Sequence, residues 1–451
     1  MVETNTKSEK LKMLLKIVFP ILITQVAMYL VTFFDIYMTA RYRTEDLAGV
    51  SIGSSFWVPV YIGLAGILMS ITPIVAQLMG AKKKEEVKHA VQHGIYLAIL
   101  LAIAVFLFFL AGIHPLLALM DLEPTVESVA AEYIFAMSMG LLPLFVYNAL
   151  RSYIDAIGST RISMFISLMS APINVAFNYL LIYGNFGFPE LGGAGAGYAS
   201  AITYWLVLAI AVWIIHTKKP FAAFSIFRGW SKVSIARMKE ISRIGVPIGI
   251  SIFAETSIFS AVTLMMSTYG TITIAAHQIA INFTSLLYML PLSISMGATI
   301  LVGFEVGAKR FSDARQYSWL SVGGAVVFSF ASACILFFMR EHIAGLYSSD
   351  PAVIRLAVQF LVFAALFQVS DAIQAPVQGA LRGYKDVNIT FVMAVVSYWI
   401  IGLPVGYLLA AFTEFDAFGY WIGLIAGLSA GAITLSIRLL IKQKKIAAHS
   451  S

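Results

Sequence analysis

The sequence predicts an all-α polytopic membrane protein, with twelve transmembrane helices in two pseudo-symmetric six-helix lobes. Three observations predict it. Of 451 residues, 60% are hydrophobic and only 12% charged, too apolar a composition for a soluble protein. Apolar runs near or above the roughly 20 residues needed to cross a bilayer recur between polar breaks. The two halves of the chain also repeat one another.

The runs fall at about 14–40, 50–79, 90–112, 128–154, 162–183 and 193–215, then 241–268, 274–305, 316–339, 353–380, 389–411 and 418–440. The first lobe is therefore expected over 1–215 and the second over 241–451, joined by a cytoplasmic linker at 216–240. That linker (HTKKPFAAFSIFRGWSKVSIARMKE) reads equally as a plain charged tether or as an interfacial segment on the inner leaflet.

The first run (LLKIVFPILITQVAMYLVTFFDIYMTA) carries one formal charge between Lys16 and Arg41, Asp35. A carboxylate at bilayer depth costs about 2.5–3.5 kcal/mol on insertion scales, so it is expected to face a cavity and serve a pathway or relay. The alternative is a carboxylate tied off by a neighbouring hydroxyl or amide. Asp35 precedes Arg41 by six residues, which at about 1.5 Å per residue sets it about 9 Å inside the helix end. Pro20, on the same helix, removes a backbone hydrogen bond and is the expected hinge.

Net charge is +7, which raises the possibility of a nucleic-acid partner. The basic residues instead follow the positive-inside rule. With both termini cytoplasmic, all but Arg41, Arg43, Arg340 and Arg355 of the 30 Lys and Arg fall on the inner side. No nucleic acid is expected, and the location expected is a cell membrane with both termini on its cytoplasmic side. Cys334 is the only cysteine, which excludes intrachain disulfides and Cys-based metal sites. The apolar run after the N-terminus is too long for a signal peptide, so the first helix is expected to be retained.

A shift of 227 residues lays Pro20 on Pro247, Tyr42 on Tyr269, and Gly80, Ala81 and Lys82 on Gly307, Ala308 and Lys309. A shift of 231 lays Arg151, Tyr153 and Asp155 on Arg382, Tyr384 and Asp386. Six spans per half make these parallel repeats about an axis along the membrane normal, with substrate expected between the lobes. The acids break the symmetry: Asp35 falls on Val262 and Glu255 on Met28, so the lobes are expected to differ in task.

Asn174 and Asn178 in the fifth span are four apart and share a helix face, with Asn178 at about the depth of Asp35. The three are expected to form a small polar chamber, the alternative being helix packing through carboxamide hydrogen bonds. Glu255 in the seventh span and Asp371 in the tenth, with Gln374 one turn on, are the second candidate site. Two carboxylates at mid-depth either share a proton or hold a cation, possible Na+ here, unless they point into separate cavities. His277 opens the eighth span near the surface, and Arg151 with Asp155 and Arg382 with Asp386 read as ion pairs at the inner ends of spans four and ten. HExxH and Walker A runs do not occur in the sequence, so transport is expected rather than catalysis. The 32 Phe, 20 Tyr, 7 Trp and 18 Met supply material for an adaptable pocket for flat organic cations, although most are expected to face lipid or other helices.

Together, FFDIYMTARYRTEDLAG, NVAFNYLLIYGNFGFPELGGAGAGYAS and AAHQIA resemble the multidrug and toxic compound extrusion (MATE) family over essentially the whole chain. The opening run with DLAGVSIGSSFWVPV looks most like the bacterial DinF branch. The resemblance implies a V-shaped pair of lobes that exports organic cations or amphiphiles in exchange for an inward ion. Asp35 matches a first-helix aspartate implicated in coupling and drug binding, Pro20 the proline where that helix bends, and Asn174 a polar ligand of the fifth span. Asn178 stands where some archaeal relatives carry a second Asp, which removes one carboxylate from an N-lobe sodium site. Glu255 and Asp371 match acids associated with cation coupling in the NorM-like branch.

The resulting expectation is a monomeric antiporter with no cofactor beyond a coupling proton or Na+. Deprotonated Asp35 holds a cationic substrate, an external proton neutralises it, and the helix rearranges at Pro20. The alternatives are Na+ coupling through Glu255 and Asp371, a flippase for lipid-linked cargo, and a membrane-embedded enzyme. A flippase would want a basic cavity, yet no basic residue interrupts the apolar cores of spans one, two, seven or eight.

Overall fold

A computed structural model describes residues 3–450, with side chains through residue 448, and among these residues there is no strand. The first half contains α1 (Lys7–Ala40), α2 (Thr44–Leu68), α3 (Ile71–Gly80), α4 (Lys84–Ala118), α5 (Pro124–Met139), α6 (Leu141–Ala156), α7 (Thr160–Tyr183) and α8 (Gly193–Thr217). The second contains α9 (Ile235–Met266), α10 (Thr271–Gly307), α11 (Phe311–Tyr347), α12 (Pro351–Gly383), α13 (Asn388–Val395), α14 (Leu403–Phe412) and α15 (Phe418–Ser450).

Among the described residues eleven spans are long and apolar enough to cross a membrane, α2 with α3 and α13 with α14 each making one, and the bent pair α5 and α6 supplies a twelfth. The 46° bend has a local cause. Pro143, in the first turn of α6, has no N–H to offer the carbonyl four residues back, that of Met139, where α5 ends. The eleventh span is also irregular: a π-type turn, Val396–Gly402, joins α13 to α14 just before Pro404. There the contact with α15 is backbone to backbone, since a Cβ on Gly423 would lie 2.5 Å from the Gly402 carbonyl oxygen. Large exposed side chains such as Leu264, Phe330 and Phe338 form the apolar exterior that lipid requires.

Two compact units emerge, one of Phe19–Gly249 and one combining residues up to Val18 with residues from Ile250 onward. These boundaries differ from 1–215 and 241–451 because α1 and α9 each change unit part-way along, beside Pro20 and Pro247. The 216–240 segment belongs to the first unit and is not a slack tether. Gln92 on α4 donates to the Ile226 carbonyl at 2.7 Å, Tyr96 donates to that of Ser231 at 2.6 Å, and Phe221 and Phe224 pack on Tyr153. The first core centres on Phe145, Tyr153 and Trp57, the second on Phe360, Phe367 and Trp421.

The repeat survives in backbone detail. Lys82 and Lys309, 227 apart, follow the ends of α3 and α10 with the same φ of 59°. Gly158 and Lys385, also 227 apart, follow α6 and α12 with positive φ. The 231-residue match of Arg151 with Arg382 is thus one helical turn out of structural register. Arg151 does approach Asp155, at 3.6 Å. The expected Arg382–Asp386 pair is replaced: Arg382 donates to Gln378, one turn back, while Arg438 forks onto Asp386 at 2.8 and 3.1 Å. Two parallel N–H bonds to one carboxylate explain the preference for the distant arginine.

A further pair of contacts obeys the 227 shift. Lys10 on α1 lies 2.8 Å from Asp313 on α11, and Arg237 on α9 lies 3.0 Å from Glu86 on α4. Each ion pair fixes the first turns of a crossing helix within its own compact unit.

Candidate functional site

The first turns of α1 are tied down by the Lys10–Asp313 ion pair, whereas its C-terminal half carries a carboxylate with no cation beside it among the described residues. Asp35 is 8% exposed, and among the described residues no Lys, Arg or His lies within ion-pair distance of it. Its charge is met by dipoles instead. Asn178 Nδ2 donates to Oδ1 at 2.7 Å, and Ser200 Oγ donates to Oδ2 at 2.8 Å.

Those donors are chained into a ring. Asn178 Nδ2 also donates to Asn174 Oδ1 at 3.0 Å, and Asn174 Nδ2 donates to Ser200 Oγ at 3.1 Å. The spacing of four on α7 stacks the two carboxamides on one face, as the sequence indicates. Ser200 reaches them because α8 runs close against α7, where a Cβ on Gly195 would sit 2.5 Å from the Leu181 carbonyl oxygen. Both Asp35 oxygens accept, so the ring as built suits the carboxylate form. Asn178 Oδ1, by contrast, is buried without a partner.

The structure thus brings Asp35, Asn174 and Asn178 together and adds Ser200, which sequence reasoning missed. Its signal is faint: a serine in the small-residue run GAGAGYAS looks like helix packing. Tyr133 and Tyr204 also lie within electrostatic reach of Asp35. Pro20 sits fifteen residues below on an unbroken α1, where Thr24 Oγ1 donates to the Pro20 carbonyl at 3.0 Å.

In the second unit, Glu255 on α9 accepts from Tyr288 Oη at 3.2 Å. Tyr288 in turn lines a narrow crevice with Asp371, Ser329, Ser332 and Gln368, so the tyrosine bonded to Glu255 also lines the crevice of Asp371. Gln374 points its amide nitrogen at Tyr398 Oη and leaves Oε1 buried without a partner. Among the described residues no group of three His, Cys, Asp or Glu is placed to hold a metal ion. His277, six residues into α10, is fully buried, with Nε2 bonded to Thr263 at 2.8 Å and Nδ1 accepting from Trp421 at 3.2 Å.

At the far end of the first unit, Tyr42 donates to Glu190 at 2.7 Å and Asp46 accepts from the Gly193 backbone N–H at 2.5 Å. Glu190 pushes the Tyr42 phenol above its ordinary value, because the phenolic proton bridges to a carboxylate.

A membrane-spanning helical repeat protein with a buried, cation-free carboxylate in one unit and two acids beside one tyrosine in the other defines the class. The chain belongs to the MatE family, whose model matches residues 20–180 and 247–408, each segment beginning at one of the paired prolines. It is 53% identical over 451 residues to "Probable multidrug resistance protein NorM" of Bacillus anthracis, covering 100% of both chains. It is 55% identical over 446 residues to the protein of that name in Bacillus subtilis (strain 168), covering 99% of this chain and 98% of the other. The fold is similar to that of "eukaryotic MATE transporter AtDTX14", with TM-score 0.86, 22% identity and coverage of 98% and 99%. It is also similar to "MATE in the bent conformation", with TM-score 0.89, 17% identity and coverage of 99% and 100%. The DinF-like branch expected from the opening run is not the name these relatives carry.

Proposed function

We propose that the chain is a multidrug efflux antiporter that exports cationic or amphiphilic organic compounds in exchange for protons, with Asp35 as the shared binding group. The observation that carries this reading is the uncompensated carboxylate, buried with both oxygens accepting from neutral donors and, among the described residues, no cation within ion-pair distance. A buried charge in that state is poised to gain a cation or a proton, because either ends the cost of its isolation. The multidrug resistance for which the NorM relatives are named supports the same reading.

In the proposed cycle, Asp35 as carboxylate holds the cationic centre of the substrate. A proton from outside then binds Asp35. One of the two donors now faces a carboxylic O–H, and rotation of the Asn178 amide would offer its unpartnered oxygen to that hydrogen. The ring changes hands, the attraction for the substrate disappears, and α1 rearranges at Pro20, beside its change of unit. The proton leaves on the cytoplasmic side, which by the distribution of Lys and Arg is the side of both termini. A DinF-like use of the first-lobe aspartate is part of this proposal.

Sodium coupling in the second unit is the alternative, favoured by Asp371 with the open Gln374 Oε1 one turn away and Glu255 bonded to Tyr288. Substrate-dependent proton movement in proteoliposomes tests the main reading. Export that follows an imposed Na+ gradient and ignores the pH gradient would replace it with the alternative.

A further inference from the structure

Lys7 and Lys10 of α1, with Ser312, Arg315, Gln316 and Trp319 of α11, line a cavity of about 390 Å3 in the second unit. No acidic side chain lines it. Lys10 is neutralised by Asp313, whereas Lys7 and Arg315 make no ion pair among the described residues. The first turns of α1 and α11 both open here, and α11 has no side-chain cap at Arg310. Free N–H groups at the start of α11 and its dipole add to the positive field, whereas the start of α1 is capped by Thr6 and Glu9.

The internal repeat indicates what such a place receives. Under the 227 shift, Arg315, Gln316 and Trp319 correspond to Lys88, His89 and Gln92 on α4. There the chain's own 226–234 segment fills the space with oxygen acceptors. Gln92 donates to the Ile226 carbonyl at 2.7 Å and accepts from Ser231, and Lys88 Nζ lies beside Gly229. In the second unit Thr4 stands in place of Ser231, its carbonyl accepting from Lys10 and Arg310, and Lys7 stands in place of Ser234, adding a charge beside the cavity.

The walls continue as apolar stripes. Lys7, Leu11 and Leu15 recur every four residues on α1, with Leu11 44% and Leu15 57% exposed. On α11 the same period runs through Arg315, Trp319, Gly323 and Val327, where a Cβ on Gly323 would meet open space and Val327 is 72% exposed. Trp319 is held by its Nε1 bond to Gln443 at 3.1 Å, and an indole is a side chain enriched where polar heads give way to chains. A cation-lined head pocket beside two exposed apolar stripes fits one ligand class better than a free anion.

We propose that this cavity binds the anionic phosphate headgroup of a membrane phospholipid, its acyl chains lying along the exposed stripes of α1 and α11. Juxtamembrane Lys and Arg attract such headgroups, and tail contact adds what inorganic phosphate lacks. The full-length protein in detergent micelles would be titrated with phosphatidylglycerol and with phosphatidylcholine of equal chain length, and bound lipid read by native mass spectrometry. Wild type is expected to retain phosphatidylglycerol about ten-fold better, the Lys7→Gln/Arg315→Gln variant to lose that preference, and Arg315→Lys to keep it. Equal retention of both lipids, or an unchanged preference in the double Gln variant, overturns the proposal. Displacement of the lipid by inorganic phosphate at equal concentration overturns it in favour of a free-anion site. Neither residue touches the Asp35 ring, so drug export by the double variant in zwitterionic liposomes should match wild type, which separates this proposal from the antiport reading.

Discussion

Asn178 holds Asp35 with one amide hydrogen and Asn174 with the other, at 2.7 and 3.0 Å, so a single carboxamide sets both the charge and its neighbour. Replacing it tests whether the ring acts as a unit. Asn178→Ala removes a hydrogen bond to a charged group, worth about 1.5–3 kcal/mol, and should reduce coupled export while the protein still folds. Groups in one network are not additive, so the loss should shrink sharply in an Asp35→Asn background. Additive losses in a double-mutant cycle of export rates would show that the two side chains work independently.

Gly195→Ala should disturb the same ring from outside. Its Cβ would meet the Leu181 carbonyl oxygen at 2.5 Å, so α8 must move away from α7 and draw Ser200 off Asp35. Overpacking of this kind costs about 1–3 kcal/mol. Thermal unfolding in detergent should fall, and substrate affinity should fall with it. Ser200→Ala should reproduce the affinity loss with less effect on unfolding.

The two ion pairs related by 227 residues should differ in weight. The Lys10 side chain is 1% exposed, while Arg237 and Glu86 are 41% and 47% exposed. An exposed pair contributes about 0.2–1 kcal/mol, so Arg237→Met should hardly shift unfolding. Lys10→Met leaves Asp313 partly buried with Arg310 alone, and should destabilise the protein clearly more. Equal shifts in thermal scans would show that burial does not set their strengths.

Much of the fold was legible because the signals were local. Run length, Pro20 matching Pro247 and the Gly-Ala-Lys repeat needed no knowledge of packing. The Asp35, Asn174 and Asn178 cluster was legible for a related reason: polar groups at equal depth in apolar helices have few partners to choose from. Ser200 was not, because a serine in a small-residue run satisfies itself on its own helix as readily as it reaches across. Arg382 and Asp386 misled for the opposite reason. Spacing of four is a local rule, and Arg438, 52 residues beyond Asp386, offered better geometry. Lys10 with Asp313 crosses about 300 residues of chain, a distance at which charge patterns along a sequence say nothing about pairing.

Orientation can be checked at the 216–240 segment. Ser225→Cys in a Cys334→Ala background should stay unmodified by an impermeant thiol reagent applied to intact cells and become labelled once they are opened. Labelling from outside would invert the proposed direction of transport.

The second unit makes its own prediction. Glu255→Gln and Asp371→Asn should each change the cation dependence of export while expression stays close to wild type, because both acids reach Tyr288 or its crevice. Normal transport by both variants under every imposed ion gradient would assign the pair a structural role.

The central claim is that substrate and proton compete for Asp35. In wild type, binding of a cationic substrate should weaken as pH falls, since the protonated side chain no longer attracts a cation, and Asp35→Asn should remove that dependence. A cation about 4 Å from a carboxylate gains up to about 4 kcal/mol at an effective dielectric near 20, before desolvation offsets part of it, so the affinity loss in the variant should be large. The most direct measurement is export by wild type and Asp35→Asn in proteoliposomes carrying the same pH gradient. The account predicts coupled export in the wild type and its loss in the variant, and equal export by the two would contradict it.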